Sequence, residues 1–106
     1  MTIGYSTKAL RKIAGSRTLP ARKYSQAFAM AFHARLADIW AARCVAELPL
    51  WVAESHTSDR FTVPVVEDYV LVFESNHTAD REAETRTAIN WQRVTRVKLL
   101  EVRLNG

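Results

Sequence analysis

The stretch RFTVPVVEDYVLVFE, residues 60–74, decides the fold. Apolar side chains alternate with others from Phe61 to Val65, which is the period of a β-strand. Glu67-Asp68 then predicts a tight turn, and Tyr69–Glu74 predicts the returning strand of a β-hairpin. Because Pro64 cannot donate a hydrogen bond to a neighbouring strand, we expect it at a sheet edge or a bulge.

A third strand is expected over Val94–Leu104. Residues 75–87 are polar and charged without apolar periodicity, so they predict a mobile loop after the hairpin. Val94–Leu104 regains the alternation of a strand, and its doubled Leu99-Leu100 predicts a change of register. The hairpin and this strand together form a β-meander.

The first half of the chain is predicted to contribute one strand and two helices. Thr2–Tyr5 is a short β-type run, and Ser6 is placed to cap a helix over Thr7–Ala14. A long helix is expected over residues 21–46, followed by an irregular segment, Leu48–Ser55. The inward-facing stripe of this long helix is expected to contain Phe28, Phe32, Leu36, Ile39 and Trp40.

These elements define an α+β fold in a single domain over residues 1–106. We expect a small antiparallel sheet, formed by the N-terminal strand and the C-terminal β-meander. The two N-terminal helices would pack against one face of this sheet. A domain of this size buries roughly two thirds of the surface of its unfolded chain, which is enough for a core without disulfides.

Positive charge is concentrated in the first half of the chain. The net charge is +4, but residues 1–53 contain eight basic residues and two acidic ones. This asymmetry favours an anionic partner, either nucleic acid or an acidic protein segment, while a solvated helical surface is the alternative. The candidate RNA-binding residues are Lys8, Arg11, Lys12, Lys23 and Lys98.

Cysteine content and hydropathy exclude several classes of protein. The single cysteine, Cys44, excludes an intrachain disulfide and a zinc site built on two or four cysteines of one chain. The lone thiol fits a reducing compartment. No apolar run reaches the roughly 20 residues of a membrane span. We therefore expect a cytoplasmic protein with no metal site and no membrane partner.

Four segments resemble one family of bacterial toxins. They are YSTKALRKI at 5–13, RLADIWAA at 35–42, HTSDRFTVPVVEDYVLVFE at 56–74 and INWQRVTRVKLLEV at 89–102. In order and spacing they resemble the RelE/ParE superfamily of type II toxin–antitoxin systems, most closely its HigB-like "killer protein" branch. The resemblance implies a RelE-like fold and a toxin that inhibits translation as a ribosome-dependent mRNA endoribonuclease. It also implies inhibition by a cognate antitoxin, of the helix-turn-helix type.

The chemistry implied by the resemblance needs no metal and no cofactor. A 2′-hydroxyl attacks the adjacent phosphate and the 5′-oxygen leaves, which requires an acid–base group and positive charge beside the phosphate. His56 would be the acid–base group, because its unperturbed pKa suits proton transfer near neutral pH. Arg60 would bind the phosphate, and Tyr69 would stack on a base. Arg103 would restore the positive charge that is missing at Val70 if the two strands bring these residues together.

Three of the four catalytic candidates have a purely structural alternative. These alternatives are a loop histidine bonded to backbone for His56, an ion pair with Asp59 or Glu54 for Arg60, and core packing for Tyr69.

Two departures from the family pattern favour other functions. Val70 follows Tyr69 where the family usually has arginine, and Arg103-Leu104-Asn105-Gly106 stands where the family has a terminal tyrosine or histidine. The second hypothesis is therefore a catalytically degenerate RelE-fold binding module that pairs with an antitoxin. A gyrase-directed, ParE-like toxin is the third.

Overall fold

The computed structural model describes residues 1–55, 58–76 and 90–104. These residues form an α+β fold, as predicted, in which helices cover one face of a five-stranded sheet. The helices are α1 (Lys8–Gly15), α2 (Leu19–Lys23) and α3 (Gln26–Ala41), and short 3-10 turns lie at Val45–Glu47 and Trp91–Arg93. The strands are β1 (Thr2–Tyr5), β2 (Val52–Ala53), β3 (Arg60–Pro64), β4 (Tyr69–Ser75) and β5 (Arg96–Leu104).

The sheet is mixed, which corrects the prediction of an antiparallel sheet. Its strand order is β1-β5-β4-β3-β2, and β1 pairs with β5 in parallel while the other neighbours are antiparallel. The chain between β1 and β5 contains all three helices and the strands β2–β4, and a connection of that length permits parallel pairing. Local sequence patterns carry no information about the direction of such a distant partner.

The predicted hairpin is confirmed. Glu67 and Asp68 both have positive φ, 58° and 64°. Two such residues between antiparallel strands form the turn whose twist matches that of the strands. Pro64 pairs with Val70 but lies beyond the two positions of β3 that β2 covers, so its missing N–H faces a free edge.

The doubled leucine of β5 marks a register change, as predicted. Phe73 pairs with Leu99, whereas the preceding Val72 pairs with Glu101. Leu100 is therefore the extra residue of a β-bulge. The extra residue shifts the inward–outward alternation of side chains by one position. Apolar residues of β5 therefore face the helices both before and after the bulge.

The predicted long helix over residues 21–46 is wrong in its boundaries. Helix α2 ends at Lys23, and α3 begins after Ser25, whose hydroxyl accepts a hydrogen bond of 2.9 Å from the Phe28 amide. This N-cap starts a new helix and changes the direction of the chain. In the first helix the cap is Thr7 rather than Ser6, since Thr7 Oγ1 accepts from the Leu10 amide.

Two further predictions concern the irregular segment, Leu48–Ser55, and the loop over residues 75–87. Strand β2 lies within the segment expected to be irregular, and its two residues are too short a run to show alternation. Of the predicted loop over residues 75–87, Ser75 belongs to β4, and residues 77–87 lie outside the described residues.

The core lies between α3 and the sheet. Its fully buried aromatic residues are Phe28, Phe32, Phe61 and Phe73. Trp40 is the exception to the predicted inward stripe, because 54% of its surface is exposed. Among the described residues, no helix combines the length and the apolar character needed to cross a bilayer.

Candidate nucleic-acid interface

The face of the sheet turned away from the helices is called the open face here. Phe61, Leu71, Phe73 and Leu99 point into the core, so the residues between them point the other way. The open face carries Arg60, Thr62, Val70, Val72, Glu74, Lys98, Glu101 and Arg103.

Arg103 lies directly opposite Val70, the position at which the resembled family carries arginine. The pairing meets the condition under which Arg103 could replace the missing charge. Its guanidinium, however, is engaged by two carboxylates, with Nε 3.1 Å from Glu101 Oε1 and Nη1 3.6 Å from Glu54 Oε1. Because β3 and β4 lie between β5 and β2 in the sheet, the ion pair with Glu54 spans the open face.

Arg60 forms a cross-strand ion pair. Its Nε lies 3.9 Å from Oε2 of Glu74, its register partner on β4, and Lys98 is the register partner of Glu74 on β5. Glu74, whose side chain is only 14% exposed, thus lies between two strand positions that carry cations. Neither acid expected from the sequence, Asp59 or Glu54, is the partner seen in this ion pair.

The candidate cations of the open face are balanced by acids. Arg60, Lys98 and Arg103 share this face with Glu54, Glu74 and Glu101. Val72 lies in their midst and is only 1% exposed. An incoming phosphate must therefore displace carboxylates from the arginines, which reduces the gain from binding there.

Tyr69 lies on the other face of the sheet. Its ring packs edge-on against Tyr24 and Phe28, with centroids 5.2 Å apart in both cases. Burial raises the pKa of Tyr24, and the neighbouring Tyr69 adds to that rise. Tyr69 is thus not brought together with Arg60 and Arg103, and its contacts are those of core packing.

The acid–base candidate, His56, lies outside the described residues. The described chain resumes at Ser58, two residues later, whose hydroxyl accepts a hydrogen bond of 3.1 Å from the Arg60 amide. His33 belongs to α3, where its Nε2 lies 3.1 Å from the carbonyl oxygen of Ser16. It therefore stands on the helical side, away from the open-face arginines.

The helices carry a second charged surface, which we call the cationic helical surface. It consists of the exposed residues Lys8, Arg11, Lys12, Arg17, Arg22 and Lys23. The first acidic residue of the chain is Asp38. In the part of the chain that the structure describes, none of the six forms an ion pair. Like charges without counter-charges leave this surface available to a polyanion.

The predicted RNA-binding residues divide between two sides of the molecule. Lys8, Arg11, Lys12 and Lys23 belong to the cationic helical surface, whereas Lys98 lies on the open face. Arg17 and Arg22 were not predicted as RNA-binding residues. The sequence feature that would have predicted them is the absence of acidic residues before Asp38, rather than the spacing of the basic residues.

One shallow depression lies among the described residues, at the hairpin turn. It is lined by Pro64, Val65, Val66, Asp68, Tyr69 and Val70 and has a volume of about 240 Å³. Sites for drug-sized molecules usually measure roughly 300–1,000 Å³. Among the described residues, no cluster of three histidine, cysteine or acidic side chains is arranged to hold a metal ion.

Comparisons with protein-family models, with curated proteins and with solved structures each gave no match for this chain. The resemblance to RelE/HigB toxins therefore rests on the sequence segments alone.

Proposed function

We propose that this protein is a RelE/HigB-like toxin that binds ribosome-associated RNA in the cytoplasm and cleaves mRNA there, under the control of an antitoxin. The cationic helical surface is the observation that carries the proposal. Six exposed cations occupy a stretch of chain that precedes the first acidic residue. Ribosomal RNA offers the dense phosphate charge that matches such a surface.

Cleavage is assigned to the open face and the loop before it. Arg60 and Arg103 share that face, where they would hold the attacked phosphate and offset its growing negative charge. The resemblance assigns proton transfer to His56. For this chemistry the RNA must exchange places with Glu74 at Arg60 and with Glu54 and Glu101 at Arg103.

A binding module without nuclease activity is the second candidate. It is favoured by the carboxylates that hold Arg103 and by the packing of the half-buried Tyr69 ring against Tyr24 and Phe28. Such a module would retain the cationic helical surface and pair with an antitoxin, but it would lack the free guanidinium that phosphate chemistry requires.

A translation reaction with purified components tests both candidates. The protein is added to ribosomes translating a defined mRNA, and new 5′ ends are mapped by primer extension. A ribosome-dependent toxin produces cuts at fixed codon positions, and His56→Ala and Arg60→Ala each slow the cutting by more than about tenfold. His33→Ala is the matched control, because His33 lies on the helical side.

Binding is measured in parallel with ribosomes and with ribosomal RNA. Binding without cuts supports the second candidate and contradicts the nuclease. If neither cuts nor salt-dependent binding is found, both candidates are wrong.

A further inference from the structure

The outward face of α3 is apolar, which is unusual for a surface helix. Seven α3 residues are exposed, and only Gln26 among them is polar. The other six, which we call the α3 face, are Ala27, Met30, Ala34, Ala37, Trp40 and Ala41. Met30 and Trp40 are 68% and 54% exposed, so large apolar side chains stand in solvent at both ends of it. Exposed apolar patches of this kind mark interaction sites.

The α3 face has the spacing of a helix-packing seam. Positions 27, 30, 34, 37 and 41 alternate steps of three and four residues, which is the repeat by which two helices pack lengthwise. The seam spans about 21 Å, or four turns, at 1.5 Å per residue. Its alanines allow a second helix to approach closely, while Met30 and Trp40 provide the large contacts.

The charges beside the α3 face specify what covers it. His33 borders the face, one turn after Met30, and its Nε2 lies 3.1 Å from the carbonyl oxygen of Ser16. The α1–α2 loop therefore lies along this border, and the exposed Arg17 follows Ser16 in it. On the opposite border Asp38 is paired with Arg35 at 3.1 Å. One border thus carries the positive charge of Arg17, whereas on the other the charge of Asp38 is neutralised by Arg35.

We propose that the α3 face binds an amphipathic helix of another protein, about 15 residues long, with an apolar stripe and acidic side chains along the edge that meets Arg17. A second copy of the chain fits less well. In an antiparallel twofold pair of α3 helices, like borders meet, so the two cationic borders would repel each other. The inference does not rest on RNA binding or cleavage.

The test uses two designed helical peptides of about 18 residues. Both carry leucines at the three–four spacing. One has glutamates along a single edge of the leucine stripe, and the other has lysines at the same positions. Binding to the full chain is followed by fluorescence anisotropy. We expect the glutamate peptide to bind at least about tenfold more tightly than the lysine peptide.

Three substitutions separate docking from general charge attraction. Ala34→Lys places a charge in the middle of the seam and should weaken the glutamate peptide about tenfold, although it adds positive charge to the protein. Ala9→Lys adds the same charge at an exposed position of α1 and should not weaken it. Arg17→Glu should weaken the glutamate peptide and strengthen the lysine peptide.

Three outcomes would overturn the inference. These are equal affinity for the two peptides, Ala34→Lys binding as tightly as the unaltered chain, and a stable dimer in sedimentation that Ala34→Lys dissociates. Because Ala34 is exposed, circular dichroism should show an unchanged fold in the variant. Ribosomal RNA binding by Ala34→Lys reports separately on the proposed function, so the failure of either proposal can be recognised.

Discussion

Ser25 Oγ donates a hydrogen bond of 3.0 Å to Glu67 Oε2, which joins the break between α2 and α3 to the turn of the β3–β4 hairpin. The same hydroxyl accepts the hydrogen bond from the Phe28 amide that starts α3. One side chain therefore fixes both the beginning of the core helix and its position over the sheet.

Ser25→Ala should lower the free energy of unfolding by about 1–2 kcal/mol, because it removes an N-cap and the link to Glu67. Urea denaturation followed by circular dichroism measures the change. Glu67→Ala is the matched variant, since it removes the link and keeps the cap. It should cost less than Ser25→Ala, and an equal or larger cost would show that the cap contributes little.

Asp68→Gly should raise the free energy of unfolding by about 0.5–1 kcal/mol, because glycine adopts a positive φ without the steric cost borne by other residues. Asp68 has φ of 64° and its side chain is exposed. Asp68→Ala keeps a Cβ at the same backbone conformation and should not be stabilising. A glycine variant less stable than the alanine variant would contradict the assignment of the turn.

Glu54→Gln should increase RNA affinity or mRNA cleavage, because it releases one of the two carboxylates that hold Arg103. The ion pair is partly exposed, so the substitution should change stability by less than about 1 kcal/mol. Glu67→Gln removes an equal charge at the distant hairpin turn and serves as the control. Equal effects of the two substitutions would mean that RNA does not reach the open-face arginines.

Arg11→Glu combined with Arg22→Glu should weaken binding to ribosomal RNA and flatten its dependence on salt. Each phosphate contact contributes a slope of roughly −0.7 to −0.9 in log affinity against log salt concentration. Filter binding between low and physiological salt measures both quantities. Arg93→Glu, combined with Arg96→Glu, changes the charge equally near the start of β5 and should have a smaller effect.

Stability should fall in alkaline solution as tyrosines ionise. Burial raises the pKa of Tyr24 above its ordinary value of 10.0 and likewise raises that of Tyr5. A pKa raised by folding contributes stability below the unfolded value, and this is lost as the pH rises through the folded value. Tyr24→Phe should remove one late-titrating group from the ultraviolet titration of tyrosinate, and an unchanged titration would contradict the burial effect.

The β-structure was predictable from short-range patterns. The alternation around Glu67-Asp68 gives the hairpin, and Leu99-Leu100 gives the bulge, because both depend on which side of one strand is apolar. The parallel partner of β1 was not predictable in this way, since it depends on where the three helices and three strands between β1 and β5 return the chain.

The helical errors have a different origin. Helix α3 is apolar on nearly every side, so periodicity alone does not distinguish the buried Phe32 from the exposed Trp40. The break before Ser25 was missed because the surrounding residues are compatible with a continuous helix.

The candidate site was predictable only in part. From the sequence, Arg103 was a candidate to replace the charge missing at Val70, and the strand register places the two residues opposite each other. It gave no sign that Glu54 would reach Arg103, because the two residues lie far apart in the chain and meet only across the folded sheet.

The uneven distribution of cations has a consequence for diffusion. On the helical side of the sheet stand six positive side chains that form no ion pair with the described residues, while acids offset the arginines on the other side. The described part of the chain thus has a lasting charge dipole across the sheet, and in the field of a polyanion such a dipole experiences a torque. The torque is felt within about one Debye length, some 8 Å at physiological ionic strength. Within this distance, and before any contact forms, the torque turns the helical side of the molecule toward a phosphate-rich partner.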